Sequence, residues 1–523
     1  MSTSFTEADV QASFTTFVDY LASNKIKLSS VAPKLAVVVE GTNAKVTGLP
    51  VINGAATLDL TKRKVTRRLP LPLGLECGAL LCGETKISGI DNLPDGLHTL
   101  ILNKNSRFKR WPTGLPASLK RLDVSFTELV EVGDLPARLE TLDCSNNTIE
   151  TLGVLPETLK ELTCPRQLRE LPSLPPGLEV LSCSMSGLDE FPEFPKTLRK
   201  LNWSGGHTSN PPPKLSPLPD GLTELHWSCS LPLPGPLPDS LRKLSGSFHE
   251  GIELPPGLKR AWLSLDDGVG LTHLPDSMEE LVYSGSAPLP ALPDSLVKLR
   301  ITQCDFHELP SLPTGLKSLA FWQTKLSSLP DLPSGLETLY CPSNSLMQLP
   351  ALPDSITEIN VSENQLTSLP ELPKSLRELR CEHNQLTDLP RLDRWWDDID
   401  TTRGGYSLDQ GLRHIECQHN QITAIPTLPK GLDVFRCQNN QITEMPPMPV
   451  GLRTLNCANN KLERLESLPA KLNERYCSNN RQLAVIDTYS SEQFDRMYKS
   501  NATKTNLDDQ TKERLRSWRV RVD

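Results

Sequence analysis

One phrase, Leu-x-x-Leu-x-Cys-x-x-Asn-x-Leu followed by Leu-Pro, recurs along this chain and constrains its fold more than any other feature. A full copy runs from Leu336 through Leu339, Cys341, Asn344 and Leu346 to Leu349 and Pro350. First leucines of neighbouring copies, or the isoleucine that replaces one, stand at Leu296, Leu316, Ile356, Leu376, Leu412, Leu432, Leu452 and Leu472, mostly about 20 residues apart. A unit this short cannot bury its apolar face alone, so copies must stack into a solenoid with one continuous core. Counting from each first leucine as position zero, every position then forms a column through the stack.

The period and pattern predict a leucine-rich-repeat solenoid. Leu-x-x-Leu-x-Cys alternates as a short, half-buried strand does, which places parallel strands on the concave face. Paired prolines such as Pro350 and Pro353 exclude a regular helix behind them, leaving an extended or polyproline-like convex side. The 46 prolines and 30 glycines are thus repeat punctuation rather than a mark of disorder. About twenty-one repeats fill residues 55–480. Residues 1–54 read as an N-terminal cap, with a helix over Glu7 to Ser23 and a strand over Leu35 to Glu40. Residues 481–523 read as a C-terminal cap, helical over Ser490 to Lys499 and Leu507 to Val520. The spacing is irregular between Leu178 and Leu258, and the position-eight asparagine is missing from Gln167 to Thr324, so cooperativity should be weaker there. One insertion, 393–411, widens the gap between Leu376 and Leu412.

Most of the 13 cysteines occupy position five, which Val124, Trp203, Trp227, Tyr283, Ile301, Phe321 and Val361 fill in other repeats. A slot shared by thiols, aliphatics and aromatics is an inward core slot. Thiols in single file on parallel strands do not enclose a tetrahedral zinc. Cys229 and Cys304 fall off this column and read as surface thiols. So many unpaired thiols point to a reducing compartment. Asparagines at position eight, Asn344, Asn364 and Asn384 among them, should form a ladder bonded to backbone groups.

The formal net charge of −8 argues against nucleic-acid binding through the phosphate backbone. No apolar stretch approaches the roughly 18 residues of a membrane span. Met1 to Asn24 lacks the basic and apolar regions of a cleaved secretory signal. The sequence calls for no cofactor: it has no phosphate loop, no Cys-x-x-Cys metal spacing and no nucleophile–base pair beyond what the repeats explain. Positions two, four and six point outward on the strands. Trp262, Trp322 and Tyr340 fall there, with Phe248 close in register, and Arg300, Arg380 and Arg436 share position four. Exposed aromatics with arginines are the composition of interface anchors. In the insertion, Trp395 and Trp396 serve as a partner anchor or as a seal over the core. Position seven reads Glu363, His383 and His419, with Glu416 nearby: a column that is either hydrated surface or a metal- or pH-responsive pair.

The copy from Leu428 and Pro429 through Leu432, Phe435, Cys437, Asn440 and Ile442 follows the same phrase with drift only in its apolar identities. This phrase resembles the short repeats of bacterial type III secretion effectors, the YopM-type scaffolds and the IpaH-type E3 ubiquitin ligases, over roughly residues 75–480. The resemblance implies a repeat face that binds host proteins, an uncleaved N-terminal secretion signal and action in the host cytoplasm. It implies no enzyme within this chain. The ligases carry a catalytic Cys-x-Asp motif, none of the 13 cysteines has Asp two residues on, and too few residues follow Cys477 for a catalytic domain. The remaining readings are the recognition part of such a ligase, or a repeat protein acting within its own cell.

Overall fold

The computed structural model describes residues 5–480, apart from 33, 41–42, 169, 185–191, 206–215, 230–231, 393–410, 467 and 470, together with the strand Ala484–Ile486. Two compact units divide the chain, Met1–His249 and Glu250–Asp523.

In the first unit, helix Glu7–Ser23 starts at Thr6, whose hydroxyl accepts from the Asp9 amide, and buries Val10, Phe17 and Leu21. Tyr20 donates its hydroxyl to the Thr66 carbonyl at 2.7 Å, and the Asn24 side chain accepts from the Thr66 amide at 3.1 Å. The helix is therefore clamped onto the first repeats. Strand Ala36–Glu40 pairs antiparallel with Asn43–Thr47, a partner that the sequence reading did not foresee. Parallel strands then follow in register from Ala55–Asp59 to Lys243–Phe248. The second unit repeats the arrangement from Arg260–Leu265 to Glu474–Tyr476. Among the described residues Glu7–Ser23 is the only α-helix, and the proline segments between strands are non-helical. The C-terminal helices expected after Asn480 lie outside the described residues.

From Leu97 onward most repeats enter their strand through the same turn. The Leu336 amide donates to the Pro333 carbonyl at 3.0 Å, and the amides of Leu316 and Ile356 do the same to Pro313 and Pro353. The hydroxyl just before the first leucine ties repeats together, as Ser355 Oγ does by donating to the Leu336 carbonyl at 2.6 Å. Position five is core in most described repeats: Cys341, Tyr283, Phe321 and Val361 are fully buried, and Trp203 and Trp227 nearly so, stacked 6.3 Å apart. Gly246 occupies this slot beside Trp227 because a Cβ there would meet the Trp227 carbonyl oxygen at 1.7 Å. All 13 cysteines are thiols, and only Cys477 is less than buried. Cys229 and Cys304 correct the expectation of surface thiols: Cys229 ends strand Glu224–Cys229 in phase with buried Leu225 and Trp227, Cys304 lies just past strand Lys298–Thr302, and they are 7 % and 1 % exposed.

The asparagine ladder is present. Asn364 Nδ2 donates to the carbonyls of Val361 in its own repeat and Cys341 in the one before, and its Oδ1 accepts from the Leu346 amide. In the irregular stretch that lacks these asparagines, the strands lengthen to six residues, as in Lys200–Gly205 and Glu224–Cys229. Backbone pairing through Trp203 with Trp227 and Ser204 with Ser228 takes over the carbonyls and amides that asparagine would otherwise satisfy. The 393–411 insertion leaves the sheet unbroken. Glu378–Arg380 pairs directly with His414–Glu416, and Asn420 reaches across to the Cys381 carbonyl at 2.9 Å.

Candidate protein-binding face

Alternation in each strand decides what faces outward. Leu339 and Cys341 are fully buried, so Thr338 and Tyr340 must point to the other side of the sheet. Parallel pairing then aligns position four across the second unit. Trp262, Arg300, Tyr340, Arg380 and Arg436 fall on one row, at intervals of one or more strands.

Within that row Ala320 sits between Arg300 and Tyr340. Its small side chain leaves a gap that its larger neighbours wall. Trp322, at position six of the same strand as Ala320, closes one end and meets Tyr340 edge to face, with ring centroids 6.0 Å apart and planes at 89°. The result is a depression of about 480 Å³ lined by Arg300, Ser318, Ala320, Trp322, Thr338 and Tyr340, with Pro342 and Ser343 at its margin. Tyr340 is 41 % exposed, a high value for an aromatic ring in the middle of a sheet. Three of the residues predicted as anchors are thus brought together. Trp262 is half-buried and separated from Arg300 by Val282, so it stands apart from the depression. Phe248 is a correction: it is 4 % exposed, folded into the core at the end of strand Lys243–Phe248, and offers no surface. Trp395 and Trp396 lie outside the described residues.

Arg380 and Arg436 sit in a different environment. Arg380 Nε lies 2.6 Å from Glu378 Oε1. Arg436 Nη1 donates to Glu416 Oε1, which His414 Nε2 also contacts at 2.7 Å. Glu416 is 8 % exposed. The hydrogen bond from His414 and the Arg436 charge outweigh its burial and hold its pKa at about 2. These arginines are therefore neutralised within the face. Glu416 belongs to this network rather than to the histidine column beside which the sequence reading placed it.

That column forms a rim. His383 and His419 stack with ring centroids 4.1 Å apart and planes 9° apart. Asn439 Nδ2 contacts His419 Nε2 at 3.1 Å, Asn459 donates to Asn439 at 2.7 Å, and Asn479 donates to Asn459 at 2.7 Å. Ser343 donates to Glu363 at 2.6 Å at the other end. Every one of these residues holds a left-handed backbone, φ between 53° and 58°, where asparagine is among the best tolerated non-glycine residues. Among the described residues no group of three or more His, Cys, Asp or Glu side chains is placed to hold a metal. Sequence reasoning missed Ala320 and Thr338 in the depression. The signal was available in the contrast of Ala320 with its large row neighbours.

With this geometry in hand, comparison with known proteins is informative about the scaffold. The leucine-rich-repeat family profile matches residues 138–162. No curated protein matches the chain. The structure of YopM from Yersinia enterocolitica WA-314 is similar, at 27 % identity and a TM-score of 0.59, over 83 % of this chain and 89 % of that one. The structure of the leucine-rich effector protein YopM from Yersinia pestis matches at 25 % identity and a TM-score of 0.43, over 68 % of this chain and 88 % of that one. The fold is a leucine-rich-repeat solenoid of parallel strands with few helices, as in YopM. Among the described residues no helix is long and apolar enough to cross a membrane.

Proposed function

We propose that this chain is a non-catalytic protein-binding scaffold, delivered by type III secretion and engaging host proteins in the host cytoplasm through the outward face of its strands. The observation that carries the binding reading is the depression of Arg300, Ala320, Trp322 and Tyr340, because an exposed tyrosine packed on a half-buried tryptophan beside an arginine is interface chemistry. The 27 % identity to YopM over most of both chains supports the effector reading. Catalysis by thiol chemistry is disfavoured by the cysteines themselves. Burial pushes the thiols of Cys77 and Cys304 up to about 11 and those of Cys341 and Cys417 higher, away from the thiolate form a nucleophile needs.

Affinity purification from host-cell lysate tests the binding reading, comparing the intact chain with a Trp322→Ala, Tyr340→Ala variant. A partner retained by the first and lost by the folded second supports it. Equal retention moves the interface elsewhere, and no specific partner with either removes it. Fusion of the first ~50 residues to a reporter tests export: secretion that requires a type III apparatus supports delivery, and no secretion overturns it.

A further inference from the structure

We infer that the depression over Ala320 takes an acidic segment of a protein partner, an aromatic side chain filling the gap while a neighbouring Asp or Glu carboxylate pairs with Arg300. The inference rests on the protein-binding reading and specifies the partner's chemistry.

Charge complementarity carries it. The other two arginines predicted on this row are matched within the sheet, Arg380 with Glu378 and Arg436 with Glu416, and beside it Arg260 lies against Glu280 and Arg453 against Asp433. Arg300 is not. Its row neighbours are Val282 and Ala320, and no carboxylate among the described residues lies within ion-pair distance. Lys298, outward on the same strand and exposed, adds a second cation at the same edge. A chain of net charge −8 that pairs Arg380 and Arg436 on this row and leaves Arg300 open beside the exposed Tyr340 and half-buried Trp322 presents a local positive site in an acidic protein. The guanidinium fork suits a carboxylate in bidentate geometry. Arg300 and Tyr340 are two strand spacings apart, roughly 10 Å, which admits one aromatic ring over the Ala320 methyl. The tyrosine hydroxyl and the Trp322 and Tyr340 ring edges then face a ring that also packs against their apolar surfaces.

The test is fluorescence anisotropy with a fluorescein-labelled ten-residue peptide centred on Asp-Phe-Glu. It is run beside peptides centred on Lys-Phe-Lys and Asp-Ala-Glu and beside a proline-rich peptide. The acidic aromatic peptide should bind best, and more weakly as salt rises. Arg300→Glu should weaken it at least tenfold and Ala320→Leu, which fills the gap without changing charge, by a similar factor. Tyr476→Ala, on the same row but remote, should change nothing. Binding of the Lys-Phe-Lys or proline-rich peptide in preference, or affinity unchanged by both Arg300→Glu and Ala320→Leu, overturns the inference. A lysate partner lost with Trp322→Ala and Tyr340→Ala yet retained by Arg300→Glu overturns the acidic partner while leaving the binding face intact. Retention of every partner by all the variants overturns the inference by moving the interface off this depression, and no specific partner with any of them overturns the binding reading itself.

Discussion

Replacing Asn364 by alanine probes how the stack is held. Asn364 is 8 % exposed. Its Nδ2 donates to the carbonyls of Cys341 at 2.9 Å, Val361 at 3.1 Å and Ser362 at 3.0 Å, and its Oδ1 accepts from the Leu346 amide at 3.0 Å. The carbonyls keep a second donor after the change: Asn344 Nδ2 reaches Cys341, Asn384 Nδ2 reaches Val361 and the Ser343 amide reaches Ser362. The buried Leu346 amide does not. An orphaned buried donor costs about 1–3 kcal/mol, and each shared bond that is lost adds about 0.5–1. The expected cost of Asn364→Ala is therefore at least about 3 kcal/mol, falling on one junction of the stack. Hydrogen exchange is the assay of choice because repeat arrays need not unfold as one unit. Protection should fall by roughly a hundredfold or more at the Leu346 amide and its neighbours, and stay unchanged near Asn480. Asn364→Thr should cost less, since Thr127 in the same column still donates to its own repeat's Val124 carbonyl at 2.7 Å. Unchanged exchange at Leu346, or a uniform loss along the whole chain, would refute the reasoning.

Three further outcomes follow from the electrostatics. Glu416 has a folded pKa of about 2 against an ordinary value of 4.5. Its contribution is therefore complete above pH 4.5 and is lost as pH falls towards 2, at most about 3 kcal/mol in all. Denaturant midpoints between pH 6 and 2 should show this slope, and Glu416→Gln should flatten it. Native protein should react with a thiol reagent at pH 8 at no more than Cys477, whereas unfolded protein should titrate all 13 thiols; rapid native reaction at Cys341 or Cys381 would contradict the core column. Burial and the neighbouring His383 both lower the pKa of His419. A His held below its unfolded pKa supports folding fully above that value and loses this support as pH falls through the folded one. His383→Ala should thus raise the His419 pKa in an NMR titration.

Much of the scaffold was legible because a repeat states its own register. Position five is shared by Cys341, Phe321, Trp227 and Val361, and the pattern alone marks it as core, as the structure finds. The helix over Glu7–Ser23 was legible from its apolar spacing. Phe248 was misread although it shares the inward phase of Leu244 and Gly246 in its lengthened strand, whereas Cys304 lies beyond Thr302, where the chain leaves the strand and alternation no longer fixes direction. The lengthened strands at Lys200–Gly205 and Glu224–Cys229 were not foreseen either. A missing asparagine states only that one set of backbone partners is absent, and tertiary pairing chooses what replaces it.

The candidate site was less legible for a related reason. Periodicity sorts residues into columns, so it compares like positions across repeats. Trp322 stands at position six of its strand and Tyr340 at position four of the next, and their edge-to-face contact runs diagonally between two columns. Diagonal neighbours on adjacent strands are near enough for aromatic rings to touch, yet no column contains both. Charge was more legible. Arg300, Arg380 and Arg436 share position four, and so do Glu416 beside Arg436 and Val282 and Ala320 beside Arg300, so the column itself sets Arg300 apart from Arg436. What the column does not state is that Glu378, at position two of the same strand, turns to Arg380. In a solenoid like positions determine what holds the stack together. Recognition depends also on contacts that run between positions, and the depression at Ala320 needs both.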